Sequence, residues 1–294
     1  MINLNRLAML VAVVDAGSFT AAALALGTTK AVVSFNIKQL EHELGVALLV
    51  RSTRRLALTE AGEGFYADCA RLLRQADAAV DQARAGQGDL SGSLRVTASV
   101  DYGNRVVAPA LAAFARQHPG LRIHYQAGSA HADLISERLD LAIRVGAQED
   151  SNHRATRIGA FKLWLVAAPD LLARHGMPRT APALAALPWL ANRPGRSDHW
   201  RLTDGKGREH DLRVEPVAQA DTASALLAFA LAGCGVAALP DWLLQEPLAR
   251  GELQRVLPSY TLPPQPVYAV YPDTRHVSAK VRQFIDFLRE RSGG

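Results

Sequence analysis

Cysteine is scarce in this chain: Cys69 and Cys234 are the only two among 294 residues, too few and too far apart for a disulfide framework or a zinc site. Neither has a neighbouring partner or basic cluster of the kind a sensor thiol needs, so control by oxidation is not expected and a reducing cytoplasm fits. Long uncharged runs are scarce as well. The longest, residues 222–240, contains Thr222, Ser224, Gly233 and Gly235 and reads as buried helix, turn and strand, not as a membrane span. The apolar run 7–14 has only Arg6 before it, Asp15 after it and no small-residue cleavage pattern, so neither secretion nor membrane association is expected. Catalytic signatures are also missing: no G-x-S-x-G, H-E-x-x-H, P-loop, or G-x-G-x-x-G after a strand. The nine histidines form no metal spacing, and His118, His124, His199 and His210 read as solvated. No enzyme activity, cofactor or metal is expected.

What is present is a globular chain, 49% apolar and 21% charged, long enough for two domains, with a net charge of +5. The charge is unevenly spread. No carboxylate occurs between Ala16 and Leu40 or between Leu44 and Thr59, whereas Arg51, Arg54 and Arg55 cluster in the second gap. Such a surface suits phosphates, because each neutralised phosphate releases counterions.

Apolar spacing implies three short helices in the same region. Leu4, Leu7, Val11 and Val14 form one stripe, Gly17 stops that helix, and Ser18 caps a second carrying Phe19, Ala22, Ala23 and Leu26. Thr28 and Thr29 are cap candidates for a third, in which Val33, Ile37, Leu40 and Leu44 face inward and Gly45 ends the helix. Ala31, Phe35, Lys38 and His42 then point outward, with Lys30 and Ser34 on the flank. Ser34 and Lys38 are candidate donors to phosphates or base edges, and the amides near Thr29 and Lys30 suit a phosphate. Phe35 admits three readings: contact with a thymine methyl, packing against a neighbouring helix, or plain exposure. Residues 46–50 and 56–59 read as two short strands around a basic tip that includes Arg51, Thr53, Arg54 and Arg55. In the long helix that follows, Phe65, Cys69, Leu72, Ala76, Ala79 and Ala83 alternate steps of four and three. That pattern is either a seam for a second copy or a face packed on its own domain.

Gly86, Gly88, Ser91, Gly92 and Ser93 mark a flexible break. Beyond it, strands at 94–99, 121–127, 141–145, 162–168 and 267–271 alternate with helices at 105–118, 132–139 and 277–289 and one opened by Pro169. This alternation predicts a parallel sheet with crossover helices, and Asp204-Gly205 predicts a hairpin.

The residues Ala16-Gly17-Ser18-Phe19-Thr20-Ala21-Ala22-Ala23, Leu26-Gly27, Val33-Ser34, Leu40-Glu41, Leu44-Gly45 and Leu58-Thr59-Glu60-Ala61-Gly62 resemble the winged helix-turn-helix of LysR-type transcriptional regulators. Leu139-Asp140-Leu141-Ala142-Ile143-Arg144 and the segment 232–240 are similar to that family's effector-binding half. The resemblance implies an α/β chain with an N-terminal winged helix-turn-helix (1–58), a dimerising linker helix (59–86), a hinge (87–93) and a two-lobed, periplasmic-binding-protein-like effector domain (94–294). Lobe I would span about 94–163 and 267–294, and lobe II about 164–266. The implied partners are double-stranded promoter DNA, a second copy with a dimer of dimers beyond it, and a small organic effector. The DNA-binding set is Ser18, Thr28, Thr29, Lys30, Ala31, Ser34, Phe35, Lys38, Arg51, Thr53, Arg54 and Arg55, in which Ala31 and Phe35 stand where the family commonly has polar readers. Ligands of α/β folds sit at the carboxyl ends of strands, so the effector candidates are Ser99, Val100, Asp101, Gly128, Ser129, Arg144, Asp221 and Thr222. Arg144 is either a carboxylate fork or half of a structural ion pair. Trp164, Trp189, Trp200 and Trp242 are either pocket walls or core.

Overall fold

In the computed structural model, which describes residues 3–51, 56–84, 90–128, 139–146, 153–192, 199–272 and 277–292, the first helices begin and end on their capping residues. Helix α1 (Leu4–Ala16) stops at Gly17, and α2 (Phe19–Ala25) starts on Ser18, whose hydroxyl accepts from the Ala21 amide at 3.0 Å. Helix α3 (Lys30–Leu44) starts on Thr29, which accepts from the Val32 amide at 3.3 Å. It ends at Gly45, whose φ of 70° side chains resist. The buried face of α1 is wider than one stripe: Leu10 and Val13 join Leu7 and Val11 in the core, while Leu4 is left exposed. The arc is wide because α2, α3 and the long helix that follows the wing all pack on α1.

Strands β1 (Leu49–Arg51) and β2 (Leu56–Leu58) pair antiparallel as the wing, and α4 (Glu60–Arg84) follows directly. Its first turn is tied to the chain entering the wing. The Thr59 hydroxyl donates to the Ala47 carbonyl at 2.7 Å and accepts from the Gly62 amide at 2.9 Å, while the Thr59 amide donates to the Leu48 carbonyl at 3.0 Å. A Cβ at position 62 would stand 2.1 Å from the Leu48 carbonyl oxygen, so glycine is what permits this approach. The expected seam along α4 is divided. Cys69 is 1% exposed inside the helical core, and Phe65 packs against that core. Cys69 is therefore not an interface residue, since it has almost no surface left to offer a partner. Leu72, Ala76 and Ala79 are exposed farther along, and the side chain of Ala83 lies outside those described.

After the undescribed residues 85–89 come β3 (Ser91–Ala98) and α5 (Val100–Tyr102), which runs through a π-helical turn (Gly103–Val107) into α6 (Ala108–Gln117). Strands β4 (Gly120–Ala127), β5 (Leu141–Val145) and β6 (His153–Phe161) follow. The chain crosses at Lys162 into β7 (Leu163–Ala167), α7 (Pro169–His175), α8 (Ala181–Ala185), β8 (Trp189–Asn192), β9 (His199–Thr203) and β10 (Glu209–Arg213). It continues through β11 (Pro216–Ala220), α9 (Ala223–Leu231), β12 (Ala237–Pro240), α10 (Asp241–Ala249) and β13 (Gln254–Arg255), and returns as β14 (Gln265–Pro272) and α11 (Ala279–Ser292).

Two lobes result. Lobe I is a five-stranded sheet, β4-β3-β5-β14-β6, whose residues Val96, Ile143 and Ala269 pack on Leu111 and Phe114 of α6 and Phe284 and Leu288 of α11. Lobe II centres on β12-β7-β13 and the parallel pair β8–β11, with Leu165, Leu184, Trp189 and Val236 in its core. The lobe I sheet is mixed, where a parallel sheet was expected: β3 runs parallel to β4 and β5, but the returning β14 is antiparallel to both of its neighbours. Strand β6, absent from the sequence reading, is rich in arginine and lies at the sheet edge, where polar residues are tolerated. Ser91, Gly92 and Ser93 belong to β3 and not to a hinge, because their backbone pairs with Gly120, Leu121 and Arg122. The helix expected to begin at Arg105 starts at Val100, and the one expected at 132–139 falls almost wholly outside the described residues.

Candidate nucleic-acid interface and effector site

The outward face of α3 is built by removing its acids from it. Glu41 accepts from the Leu48 and Leu49 amides at 2.9 and 3.1 Å, which fixes α3 to the wing. Glu43 pairs with Arg6, whose Nε also donates to Oδ1 of Asn36 at 3.4 Å. The Asn36 side-chain amide Nδ2 in turn donates to the Val32 carbonyl at 2.9 Å. What remains outward is Lys30, Ala31, Phe35, Lys38 and His42, with Ser34 half-buried at the edge. Ser18 and Thr29 are exposed caps and Thr28 is half-buried. Arg51 closes β1, while Thr53, Arg54 and Arg55 lie outside the described residues. The sequence reading missed Glu41 and Asn36, because their partners are set by how the helix packs and not by a local pattern.

In lobe I, the ends of β3 and β4 bring Ser99 and Gly128 together. The Gly128 amide donates to the Ala98 carbonyl at 3.0 Å, and the Ser99 amide donates to the Ile143 carbonyl at 3.4 Å. Val100 is half-buried beside them, and Ser129 lies outside the described residues. Arg144 is 5% exposed, stands opposite Tyr268 on β14 and is already engaged by its surroundings. It alternates with the core residue Ile143, so it lies on the sheet face away from α6 and α11.

Asp101 and Thr222, both effector candidates, are engaged within the protein itself. The Asp101 carboxylate crosses to lobe II and accepts from the Ala223 and Ser224 amides at 2.5 and 3.2 Å, and the Thr222 hydroxyl accepts from the Ala225 amide at 3.3 Å. The amides at the start of α9 are thus occupied by the protein's own oxygens, while Asp221 is exposed just before them. A second junction is aromatic: Tyr102, Phe161 and Trp242 bring their rings within 5.8 to 6.3 Å of one another.

The other tryptophans do not converge on a site. Trp189 is fully buried, donates to the Leu184 carbonyl at 3.0 Å and stacks on Trp200, while Trp164 lies under the Arg255 guanidinium. His210 is not simply solvated, since its Nε2 lies 3.1 Å from Asp204 in the β9–β10 turn. The amide of Arg208, the His210 ring and the amide of Lys206 hold the Asp204 carboxyl well below the usual carboxylate range. Among the described residues no three His, Cys, Asp or Glu side chains cluster as metal ligands would, and no described helix is long and apolar enough to cross a membrane.

With this geometry, two family descriptions match: "Bacterial regulatory helix-turn-helix protein, lysR family" over residues 4–63 and "LysR substrate binding domain" over residues 87–293. The chain belongs to the LysR-type transcriptional regulators. Among LysR-type relatives, the HTH-type transcriptional regulator PtxR of Pseudomonas aeruginosa is 38% identical over 295 residues, covering 99% of this chain and 94% of its own. The solved structure of CrgA, a LysR-type regulator from Neisseria meningitidis, is 31% identical with a TM-score of 0.62 over all of both chains. That of the Vibrio cholerae virulence activator AphB is 32% identical with a TM-score of 0.59 over 98% of each. This LysR-type chain is accordingly a DNA-binding transcriptional regulator with an effector-binding domain, and not an enzyme. Regulators of this type bind promoter DNA and small-molecule effectors and form oligomers.

Proposed function

We propose that this regulator works in the cytoplasm as a homodimer, assembled further into a dimer of dimers, and that a small organic metabolite held between its lobes alters its grip on double-stranded promoter DNA. Helix α3 enters the major groove with Ala31, Ser34, Phe35 and Lys38 toward the bases. Ser18, Thr28, Thr29 and Lys30 hold phosphates, and Arg51, Thr53, Arg54 and Arg55 of the wing hold the flanking backbone. The observation that carries this reading is the diversion of both α3 carboxylates into internal contacts, which leaves a cationic outer face. Pairing through α4 is supported by the exposure of Leu72, Ala76, Ala79 and Val80 along one helix.

The effector is taken at the strand ends by Ser99, Val100, Gly128 and Ser129, with Arg144 and Asp221 at the margins. Its effect runs through the bond between Asp101 and α9, the polar joint that one arrangement of the lobes makes and another breaks. Only the difference in effector affinity between those arrangements can move the equilibrium.

Fluorescence anisotropy on a labelled duplex from immediately upstream of the protein's own gene, against a scrambled duplex at two salt concentrations, tests the reading. The expected result is preferential binding that weakens steeply with salt and shifts with one member of a metabolite panel. Absence of binding to any duplex at low salt would overturn it.

A further inference from the structure

The middle of α3 offers DNA an apolar surface where a polar one would be needed to read a hydrogen-bonding edge. Phe35 is 59% exposed and Val32 41% exposed, with the exposed Ala31 beside them. The nearest amide side chain cannot serve in their place: Asn36 accepts from Arg6 and donates to the Val32 carbonyl, so both of its ends are spent inside the domain. Lys30 and Lys38 flank Phe35 at five residues before and three after, and they are the exposed cations of this helix. The helix thus sets a ring for the groove between two cations, Lys30 on the phosphate side and Lys38 beside the bases.

The major groove has one apolar feature, the C5 methyl of thymine. A phenyl ring against that methyl buries apolar surface on both sides. The same ring set against the edge of a guanine–cytosine pair covers donors and acceptors without pairing them, which costs binding energy. We propose that Phe35 is a specificity-determining residue that reads a thymine methyl in each half-site of the operator. This inference rests on α3 entering the major groove. Its reach is chemical and not tied to one base, because 5-methylcytosine presents the same methyl at the same place in the groove.

The test uses the full-length protein. A duplex is first selected from a random library, and each thymine is then replaced singly by deoxyuridine, which removes the methyl and leaves the pairing unchanged. One thymine per half-site is expected at which this loss weakens wild-type binding about fourfold, the equivalent of about 0.8 kcal/mol for one buried carbon. Phe35→Ala should bind the two duplexes equally, with an unchanged melting temperature because the ring is exposed, and Phe35→Leu should keep part of the preference. Placing 5-methylcytosine at that position should restore tighter binding over plain cytosine for wild type alone. A selected duplex with no methyl-sensitive thymine, or the same sensitivity in Phe35→Ala, overturns the inference and leaves the groove reading standing. Selection of no duplex at all overturns both.

Discussion

Helices α3 and α9 begin alike, each on a threonine whose hydroxyl accepts from an amide three residues on, at 3.3 Å in both. They are completed differently. Neither has an acid in its own first turn, but α9 receives one from the other lobe, Asp101, whereas α3 carries Lys30 at its start and sends Glu41 and Glu43 elsewhere. The comparison shows how one fold treats the partial positive charge of a helix start in two ways. In the sensor half it is neutralised internally and becomes a joint between lobes. In the DNA-binding half α3 starts on Lys30 with no acid in its first turn, and the proposed DNA reading sets a phosphate there.

The comparison breaks most sharply if α3 is given what α9 has. Lys30→Glu should lower DNA affinity by about a hundredfold, through loss of a cation and repulsion of phosphate, and should leave the melting temperature unchanged or slightly raised. Anisotropy paired with calorimetry checks both halves of that statement. Next in size is Gly62→Ala, which forces a Cβ against the Leu48 carbonyl oxygen. Overpacking of this kind should cost the N-terminal domain about 2 kcal/mol, read by denaturant unfolding followed in the helical signal, with the sensor half unaffected.

Asp101→Ala works in the opposite direction and makes α9 resemble α3. Losing that cap should cost the sensor about 1 kcal/mol and raise hydrogen exchange at the Ala223 and Ser224 amides, with salt-dependent DNA binding retained. The smallest effect concerns Asp204, a second internally satisfied carboxylate. Its folded pKa is depressed, so its contribution to stability is present above the ordinary carboxylate range and is lost as pH falls through the folded value. Asp204→Asn should therefore be less stable than wild type at neutral pH and should lose less on acidification below about pH 4. Thermal melts across pH 3 to 7 in both proteins decide it.

Much of the DNA-binding half was legible in its residues. Ser18 and Thr29 cap within three positions, Gly45 terminates α3, and Val33, Ile37 and Leu40 share a face, all through contacts between near neighbours in the chain. The same periodicity misassigned Cys69, because a stripe shows that a face is buried and not whether its own domain or a second copy buries it. In the sensor half the strand ends carrying Ser99 and Gly128 were readable from the alternation of strand and helix. The antiparallel return of β14, the polar edge strand β6 and the pairing of Ser91, Gly92 and Ser93 were not. Each depends on a partner strand that no local pattern names.

The sequence by itself determined where helices start and stop, which face of α3 turns outward, and that this face holds cations and a phenyl ring. Those properties depend on side-chain type and on spacings of three and four residues. Only the tertiary structure decided what happens to the charges left over. Glu41 reaches wing amides seven and eight residues away, and Asp101 reaches α9 across 122 residues. A carboxylate must find donors once it leaves water, and which donors it finds is settled by how the elements pack.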